Sequence, residues 1–155
     1  MLEPLNLPIA PLLLSKVNSR IYVQCLLRRK KILLTPEEWV RQHIIHLFIS
    51  ELNYPPSLIS IEKSLQVRQL SKRADLVVHG IDGKPVLLVE CKAPHIRICE
   101  ETFLQISNYN SQLQSRYVMA SNGLTHVVCL IDKFGKISLI EQFPTWSELT
   151  QIGHY

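Results

Sequence analysis

The fold of this chain is decided by the twenty residues from Arg73 to Lys92, which read Arg-Ala-Asp-Leu-Val-Val-His-Gly-Ile-Asp-Gly-Lys-Pro-Val-Leu-Leu-Val-Glu-Cys-Lys. Two apolar runs, residues 74–79 and 86–91, flank the pair Asp82-Gly83. Asp-Gly between apolar runs is a strong hairpin signal, because a tight two-residue turn needs positive φ at its centre. The sequence therefore predicts an antiparallel β-hairpin with a primed turn at Asp82-Gly83.

Strand alternation places the acids of this hairpin on one face, since successive side chains point to opposite faces. The two faces of the second strand carry, respectively, Val86, Leu88, Glu90 and Lys92, and Leu87, Val89 and Cys91. A two-residue turn puts Asp75 opposite Glu90, and a loop longer by two residues still leaves Asp75 on the Glu90 face. Only a one-residue slip would separate the acids, and it would also turn the apolar set over. We expect Asp75, Glu90 and Lys92 to converge.

Two carboxylates directly across a strand pair repel each other, and a bound divalent cation removes that conflict. Mg²⁺ is typically held by one or two carboxylates together with waters and substrate phosphates. The ammonium group of Lys92 beside such a cation would stabilise charge on a phosphate or orient a water molecule. These residues indicate a metal site for phosphodiester hydrolysis.

The same residues resemble the PD-(D/E)xK nuclease core and, more narrowly, the N-terminal nuclease domain of type I restriction endonuclease R subunits. The resemblance runs from Thr35 to Asp132. It rests on five motifs in order: Pro36-Glu37-Glu38-Trp39-Val40-Arg41, Lys72-Arg73-Ala74-Asp75, Val89-Glu90-Cys91-Lys92-Ala93-Pro94, Gln105-Ile106-Ser107-Asn108-Tyr109 and Ser121-Asn122-Gly123. Ala74 stands where the signature has its proline, a position that tolerates variation because the chemistry uses the acid.

The resemblance implies an α/β fold with a restriction-endonuclease-like core, in which helices flank a mixed sheet made of an antiparallel hairpin unit and a parallel crossover. It also implies a Mg²⁺-dependent DNA endonuclease in which Mn²⁺ substitutes for Mg²⁺. The metal ligands would be Asp75, Glu90 and the backbone carbonyl of Cys91. Lys92 would polarise the attacking water or stabilise the phosphorane charge, and the Cys91 side chain is interpreted as a small core residue.

The first helix is predicted to begin at Pro36, with Thr35 as N-cap and acids in the first turn. Glu38 follows Thr35 at the spacing of a capping box, which is one adequate interpretation of that acid. The resemblance offers another, in which an acid on this helix reaches the metal. Glu38 is then the better match than Glu37, because it precedes Arg41 by three residues.

Gln105 and Tyr109 lie four residues apart and so share one face of a predicted second helix. Alone they would be interpreted as a polar helix residue and a half-buried tyrosine. In the family resembled, this pair lies near the active site. We therefore expect an amide and a phenol near the scissile phosphate or Lys92.

The remaining patterns predict an arm at 1–18, strands at 20–26 and 31–34 around a basic turn, a helix from 36 to about 52, a strand at 58–67, a helix at 99–113, and strands at 117–120, 126–131 and 136–140. The arm would pack on the domain surface or on a partner. The strand at 117–120 is expected to run parallel to 86–91 in a right-handed crossover. The tail from Pro144 would form a short helix or a strapped end.

The 155 residues, 46% hydrophobic and 19% charged, are typical of one globular domain. We expect a single nuclease-like domain at 1–155, with the arm and first hairpin at 1–34, the core at 35–132, and a hairpin strand and tail at 133–155. Apolar runs are too short to cross a bilayer, and a signal-peptide pattern is missing. A cytoplasmic protein with no membrane partner is expected.

Basic residues cluster in a chain whose net charge is +4. One cluster is Arg28, Arg29, Lys30 and Lys31, and the other includes Arg68, Lys72 and Arg73. Such clusters suit DNA, because neutralising phosphates releases counterions. A solvated hairpin face kept soluble by its charges is the simpler alternative for the first cluster.

Three functions therefore compete. The leading hypothesis is the endonuclease, whose partners would be DNA and either a second copy of the chain or separate restriction, modification or helicase subunits. Because the sequence has no GxxxxGK[ST] stretch, no ATP-driven motor is expected. A second hypothesis is a non-catalytic DNA-binding or partner-binding module of the same fold. A third is an oligomerising protein whose basic hairpin is buried between subunits.

Overall fold

The computed structural model describes residues 2–67 and 70–151, without the side chains of 62–67 and 70–73. The strands are β1 (Leu14–Val17), β2 (Arg20–Gln24), β3 (Lys31–Leu33), β4 (Ile59–Val67), β5 (Leu70–His79), β6 (Pro85–Cys91), β7 (Tyr117–Ser121), β8 (His126–Ile131) and β9 (Ile137–Ile140). The helices are α1 (Pro36–His46), α2 (Glu100–Leu113) and α3 (Trp146–Gln151). A π-helical turn, Leu47–Glu51, continues α1, and a 3₁₀ turn, Pro56–Leu58, precedes β4.

A six-stranded mixed sheet occupies the centre of the fold, in the order β4-β5-β6-β7-β8-β9. Its neighbouring strands are antiparallel except β6 and β7, which run parallel and are joined through α2. Strands β1, β2 and β3 form a separate antiparallel sheet. The predicted mixed α/β fold, with an antiparallel hairpin unit and a parallel crossover, is confirmed.

The turn between β5 and β6 differs from the predicted two-residue primed turn. Gly80 N donates to Lys84 O at 2.7 Å, so the loop has three residues, Ile81, Asp82 and Gly83, and only Gly83 among them has positive φ. A loop with three residues instead of two shifts the register between β5 and β6 by one residue. A bulge at Val86 reverses the slip, because His79 pairs with Pro85 whereas Val78 pairs with Leu87.

The bulge explains which sequence expectations survive. Leu76 pairs with Val89, and continuing that register by one residue puts Asp75 across from Glu90, as predicted. Val86 is the exception. It was expected on the Glu90 face, but it packs with the apolar cluster of the opposite face.

Apolar side chains cover both faces of the central sheet. One cluster joins α1 to the sheet through Val40, Ile44, Leu87, Val89 and Cys91, among others. The other joins α2 through Ile106, Tyr109, Val77, Leu88 and Val118, among others. Burial of these two faces fixes α1 and α2 on opposite sides of β5, β6 and β7.

The N-terminal segment forms an arm over the domain, but its last residues form β1, which the sequence did not predict. Asn6 N donates to Gly123 O at 2.7 Å, and the indole of Trp39 donates to Glu3 O at 2.9 Å. Leu5 packs so closely on Gly123 that a Cβ there would lie 2.7 Å from Leu5 Cδ2. The arm thus ties α1 to the turn after β7. Within the described part of the chain, none of the helices is long and apolar enough to span a membrane.

Candidate active site

The middle of β5 and the end of β6 bring Asp75, Glu90 and Lys92 together, as the sequence predicts. Asp75 Oδ2 accepts a hydrogen bond from Cys91 N at 2.7 Å, which fixes its carboxylate beside β6. Lys92 Nζ donates to Glu90 Oε1 at 2.7 Å. Both acids are buried, with exposures of 9% for Asp75 and 4% for Glu90.

Helix α2 adds an amide and a phenol to this group. Gln105 Nε2 donates to Glu90 Oε1 at 2.7 Å and to Tyr109 Oη at 2.9 Å. Gln105 Oε1 accepts from Lys92 Nζ at 3.0 Å. One glutamine therefore holds the acid, the amine and the phenol in a fixed arrangement, and the expected proximity of Gln105 and Tyr109 to Lys92 is observed.

Helix α1 contributes a buried arginine that contacts three acids. Arg41 Nη2 lies 2.8 Å from Asp75 Oδ1 and 3.1 Å from Glu37 Oε1, and Arg41 Nη1 lies 2.5 Å from Glu38 Oε2. Thr35 caps the helix by accepting from Glu38 N at 3.1 Å, and Pro36 is its first residue, as predicted. The start of α1 is therefore also a wall of the site.

The two acids of α1 have different environments. Glu38 is buried, and its carboxylate binds Arg41 and the side-chain amide of Gln42. It does not return to the N-cap backbone, so the capping-box interpretation of its side chain is wrong. The Glu37 side chain is 45% exposed, and its pKa is raised by burial and then by the charge of Asp75. Of the two acids, Glu37 is therefore the solvent-accessible one, whereas Glu38, which the sequence favours as an approach to a metal, is buried against Arg41 and Gln42.

Burial dominates the electrostatics of the site. It raises the pKa of Glu90 to about 7, and the neighbouring charge of Asp75 contributes in the same direction. The pKa of Asp75 is also raised by burial, although Arg41 and the Cys91 N–H pull it down. Burial alone would lower the pKa of Lys92, but the bond to Glu90 and nearby acids outweigh it and raise that pKa. The ammonium group is charged at neutral pH.

Several features bear on cation binding. Among the described side chains, four carboxylates face two basic groups, which leaves two negative charges when all groups are ionised. The carboxylates are Glu37, Glu38, Asp75 and Glu90, and the basic groups are Arg41 and Lys92. Glu90 Oε2 is buried and accepts no hydrogen bond from the described residues. In residues 2–67 and 70–151, no three His, Cys, Asp or Glu side chains form a ready-made metal cage. Asp75 and Glu90 are the described side chains that could each offer a carboxylate oxygen to a cation at this place, and Mg²⁺ commonly takes one or two carboxylates from a protein.

The thiol of Cys91 is not available as a ligand. It packs in the α1 cluster, and burial raises its pKa, so it stays a neutral thiol. The interpretation of its side chain as a core residue is confirmed. Only its backbone carbonyl remains a candidate ligand.

The predicted DNA-binding residues 28–31 form the basic turn: residues 28–30 lie between β2 and β3, Lys31 begins β3, and all four are exposed. Arg28 Nη2 donates to Ile61 O on β4 at 3.2 Å, and Leu26 N donates to Gln42 Oε1 at 3.1 Å. The basic turn is thus attached to the strand and the helix that border the acids. The side chains of Lys72 and Arg73 lie outside the described residues, as does Arg68.

Sequence reasoning missed Arg41 and Gln42 as parts of the site. A signal for Arg41 was present, because an arginine three and four residues after paired acids lies on their helix face. Its contact with Asp75 spans 34 residues and carried no such signal. Gln42 had none, since a polar residue on a helix is usually solvated.

Comparison with known proteins gives a consistent assignment. Residues 36–144 match the family model described as type I restriction enzyme R protein N terminus. The fold is similar to a fragment assigned as an HsdR subunit of a type I restriction enzyme from Vibrio vulnificus YJ016, with 23% identity and a TM-score of 0.56. That similarity covers 76% of this chain and 25% of the solved one, so the chain spans about a quarter of the length of the protein it matches. No curated protein matches the sequence significantly. Because the family model matches most of its length, the chain belongs to the type I restriction enzyme R protein N-terminal family.

Proposed function

We propose that this domain is a Mg²⁺-dependent DNA endonuclease that hydrolyses phosphodiester bonds. The observation that carries the proposal is the convergence of Asp75 on β5 with Glu90 and Lys92 at the end of β6. Among the described side chains, two negative charges are left uncompensated when all groups are ionised, and Glu90 Oε2 accepts no hydrogen bond. An uncompensated buried carboxylate is costly unless a cation or proton neutralises it. A divalent cation matches the residual charge.

Asp75, Glu90 and the Cys91 carbonyl would hold Mg²⁺, with Mn²⁺ as a substitute, and Glu37 would approach it from α1. When bound, such an ion supplies Lewis-acid activation of the phosphate and of a water molecule. Lys92 would place its ammonium against the charge that develops on the phosphate. Gln105 orients Lys92 and Glu90 through hydrogen bonds to both, and Tyr109 orients Gln105.

The basic turn at 28–31 would bind the DNA backbone. Residues 4–36 contain six Lys or Arg residues and no Asp or Glu, so this part of the chain carries a local positive field. Within the described residues, Arg29, Lys30 and Lys31 form no ion pair and are exposed. Their attachment to α1 and β4 through Leu26 and Arg28 would bring the bound backbone toward the acids. The sequence alone adds Lys72 and Arg73 to the proposed DNA-binding residues.

Family membership supports partners of two kinds. Type I R subunits act within restriction enzymes, so DNA and the other subunits of such an assembly are the expected partners. The domain would supply the cutting site, and a motor would come from another part of the assembly.

The test is cleavage of single-stranded and double-stranded DNA with Mg²⁺ or Mn²⁺ by the wild type, Asp75→Ala and Lys92→Ala. We expect the wild type to cleave and both variants to lose at least about a hundredfold in rate, as for groups acting at the reacting phosphate. Asp75→Asn also removes the negative charge of Asp75, but its side chain has nearly the same shape as that of aspartate. Asp82→Asn, at the exposed turn, is the matched control and should cleave normally. Equal activity in the wild type, Asp75→Ala and Lys92→Ala would refute the proposal.

One observation favours a second candidate, a non-catalytic DNA-binding module. Asp75 and Glu90 already have basic partners, Arg41 and Lys92, so part of their charge is compensated without a metal. A titration with Mn²⁺ separates the two candidates. Binding that Asp75→Asn weakens supports the nuclease, and DNA binding without any metal binding supports the module.

A further inference from the structure

The guanidinium of Arg41 is placed to control Asp75. It is 5% exposed, and one of its nitrogens lies 2.8 Å from Asp75 Oδ1. Asp75 Oδ2 is held independently by Cys91 N at 2.7 Å. Because a carboxylate oxygen can accept at two positions, each oxygen keeps one acceptor direction after these bonds with the described residues. The two contacts therefore determine where those free directions point.

Arg41 is itself fixed from the side away from Asp75. Glu38 Oε2 lies 2.5 Å from Arg41 Nη1, and Glu38 Oε1 accepts from Gln42 Nε2 at 2.8 Å. Gln42 is fully buried, and its Oε1 accepts from Leu26 N at the base of the basic turn. A continuous series of hydrogen bonds thus runs from Leu26 through Gln42, Glu38 and Arg41 to Asp75, partly buried at Leu26 and buried beyond Gln42.

We propose that Arg41 is a positioning residue of this site: it orients the Asp75 carboxylate toward the cation, and Glu38 and Gln42 hold the guanidinium in place. The inference rests on the proposed nuclease function. It extends the site to three side chains that touch neither the substrate nor the cation. A planar guanidinium suits this role, since its two terminal nitrogens reach separate carboxylates at a fixed angle, which an ammonium group does not.

A simpler role is that the ion pairs only fasten α1 to the sheet. Breaking a buried ion pair destabilises a protein strongly in either case. The two roles differ in a folded variant, because a fastener affects stability alone whereas a positioning residue affects the affinity for metal. Groups that orient metal ligands typically change that affinity by about tenfold to hundredfold.

The experiment uses Arg41→Lys and Glu38→Gln in the full chain, with Lys84→Gln as a control that removes an exposed ion pair to Asp82. Mn²⁺ affinity is measured by calorimetry, DNA cleavage gives kcat and KM, and circular dichroism reports folding. For folded Arg41→Lys we expect at least about tenfold weaker Mn²⁺ binding and a lower kcat, with KM for DNA unchanged. Glu38→Gln should weaken Mn²⁺ binding less, and the control should match the wild type.

Folded Arg41→Lys with wild-type Mn²⁺ affinity would overturn the inference. If Arg41→Lys does not fold, Glu38→Gln decides, and wild-type affinity in that variant overturns it equally. Failure of both to fold would leave only the fastening role. A wild type that neither binds Mn²⁺ nor cleaves DNA would instead refute the proposed function, so the two failures are distinguishable.

Discussion

Replacing Glu90 by glutamine in the metal-free protein should remove much of the pH dependence of its stability near neutrality. Glu90 is buried beside Asp75, and one of its oxygens accepts no hydrogen bond from the described residues. Glutamine has nearly the same shape and keeps an acceptor for Lys92 and Gln105. The substitution therefore removes the titrating group and its ion pair with Lys92, while the hydrogen-bond acceptor stays in place.

The magnitude follows from the pKa of Glu90, which burial and then Asp75 raise from 4.5 to about 7. At about 1.4 kcal/mol per pKa unit, this difference corresponds to about 3 kcal/mol. Between these two values the native state keeps a proton that the unfolded chain releases, so the free energy of unfolding falls as pH rises. The stabilisation by this proton is complete below about pH 4.5 and is lost by about pH 7. Asp75 and Glu37 contribute in the same direction, and the difference between wild type and variant reports Glu90 together with its interaction with Asp75.

The assay is urea unfolding followed by circular dichroism from about pH 5 to pH 8 in EDTA, since linkage predicts its largest effect in that range. The wild type should lose more unfolding free energy across this range than Glu90→Gln. Adding Mg²⁺ at the upper pH should stabilise the wild type preferentially, because only a ligand of the native state raises stability. Parallel pH profiles for the two proteins would refute the argument.

Three further predictions test other contacts. Tyr109→Phe removes the hydroxyl that accepts from Gln105 Nε2 at 2.9 Å. It should lower the free energy of unfolding in urea by about 1 kcal/mol and also lower the cleavage rate. Unchanged stability and rate would contradict the described contact. Gly123 (φ +83°) and Gly135 (φ +80°) have the same backbone conformation, but a Cβ at Gly123 would lie 2.7 Å from Leu5 whereas a Cβ at Gly135 meets open space. Gly123→Ala should therefore destabilise the protein by about 1–3 kcal/mol more than Gly135→Ala, because only the first displaces the arm. Equal losses would show that backbone strain alone acts. Fluorescence anisotropy measures how the affinity for duplex DNA falls with salt. The double substitution Lys30→Gln and Lys31→Gln should reduce the slope of log affinity against log salt concentration by about 1.8, as for two lost phosphate contacts. A slope equal to that of Lys84→Gln would exclude the basic turn from the DNA contact.

The sequence predicts most elements because their patterns are local. Each element is predicted by a pattern that spans only a few residues. Examples are the N-cap at Thr35, the alternation of the strands and the apolar stripe of α2. β1 was missed, since Leu14 and Val17 stay exposed and residues 14–17 show no inward face. The two-residue turn was wrong because the bulge at Val86 has only a weak signal, a preceding proline that cannot donate to the ladder.

In the site, too, contacts set by local spacing could be predicted from the sequence, whereas contacts set by the packing of distant elements could not. Strand parity was enough to bring Asp75, Glu90 and Lys92 together, and helical spacing was enough for Gln105 and Tyr109. Helical spacing alone does not determine which of Glu37 and Glu38 faces solvent, because adjacent residues on a helix point about 100° apart and packing fixes how α1 is rotated. The same rotation directs Arg41 to Asp75.

The odd-numbered turn and the bulge at Val86 are a matched pair, and this limits how the hairpin can evolve. Adding or deleting one residue between Gly80 and Lys84 would swap inward and outward positions along all of β6, unless the extra residue at Val86 were lost or gained in the same step. Related sequences should therefore change the length of this loop by two residues at a time, or change both places together. Changes in the length of this loop would therefore occur together with changes at the Val86 bulge, although the described tip of the loop contacts none of the proposed catalytic groups.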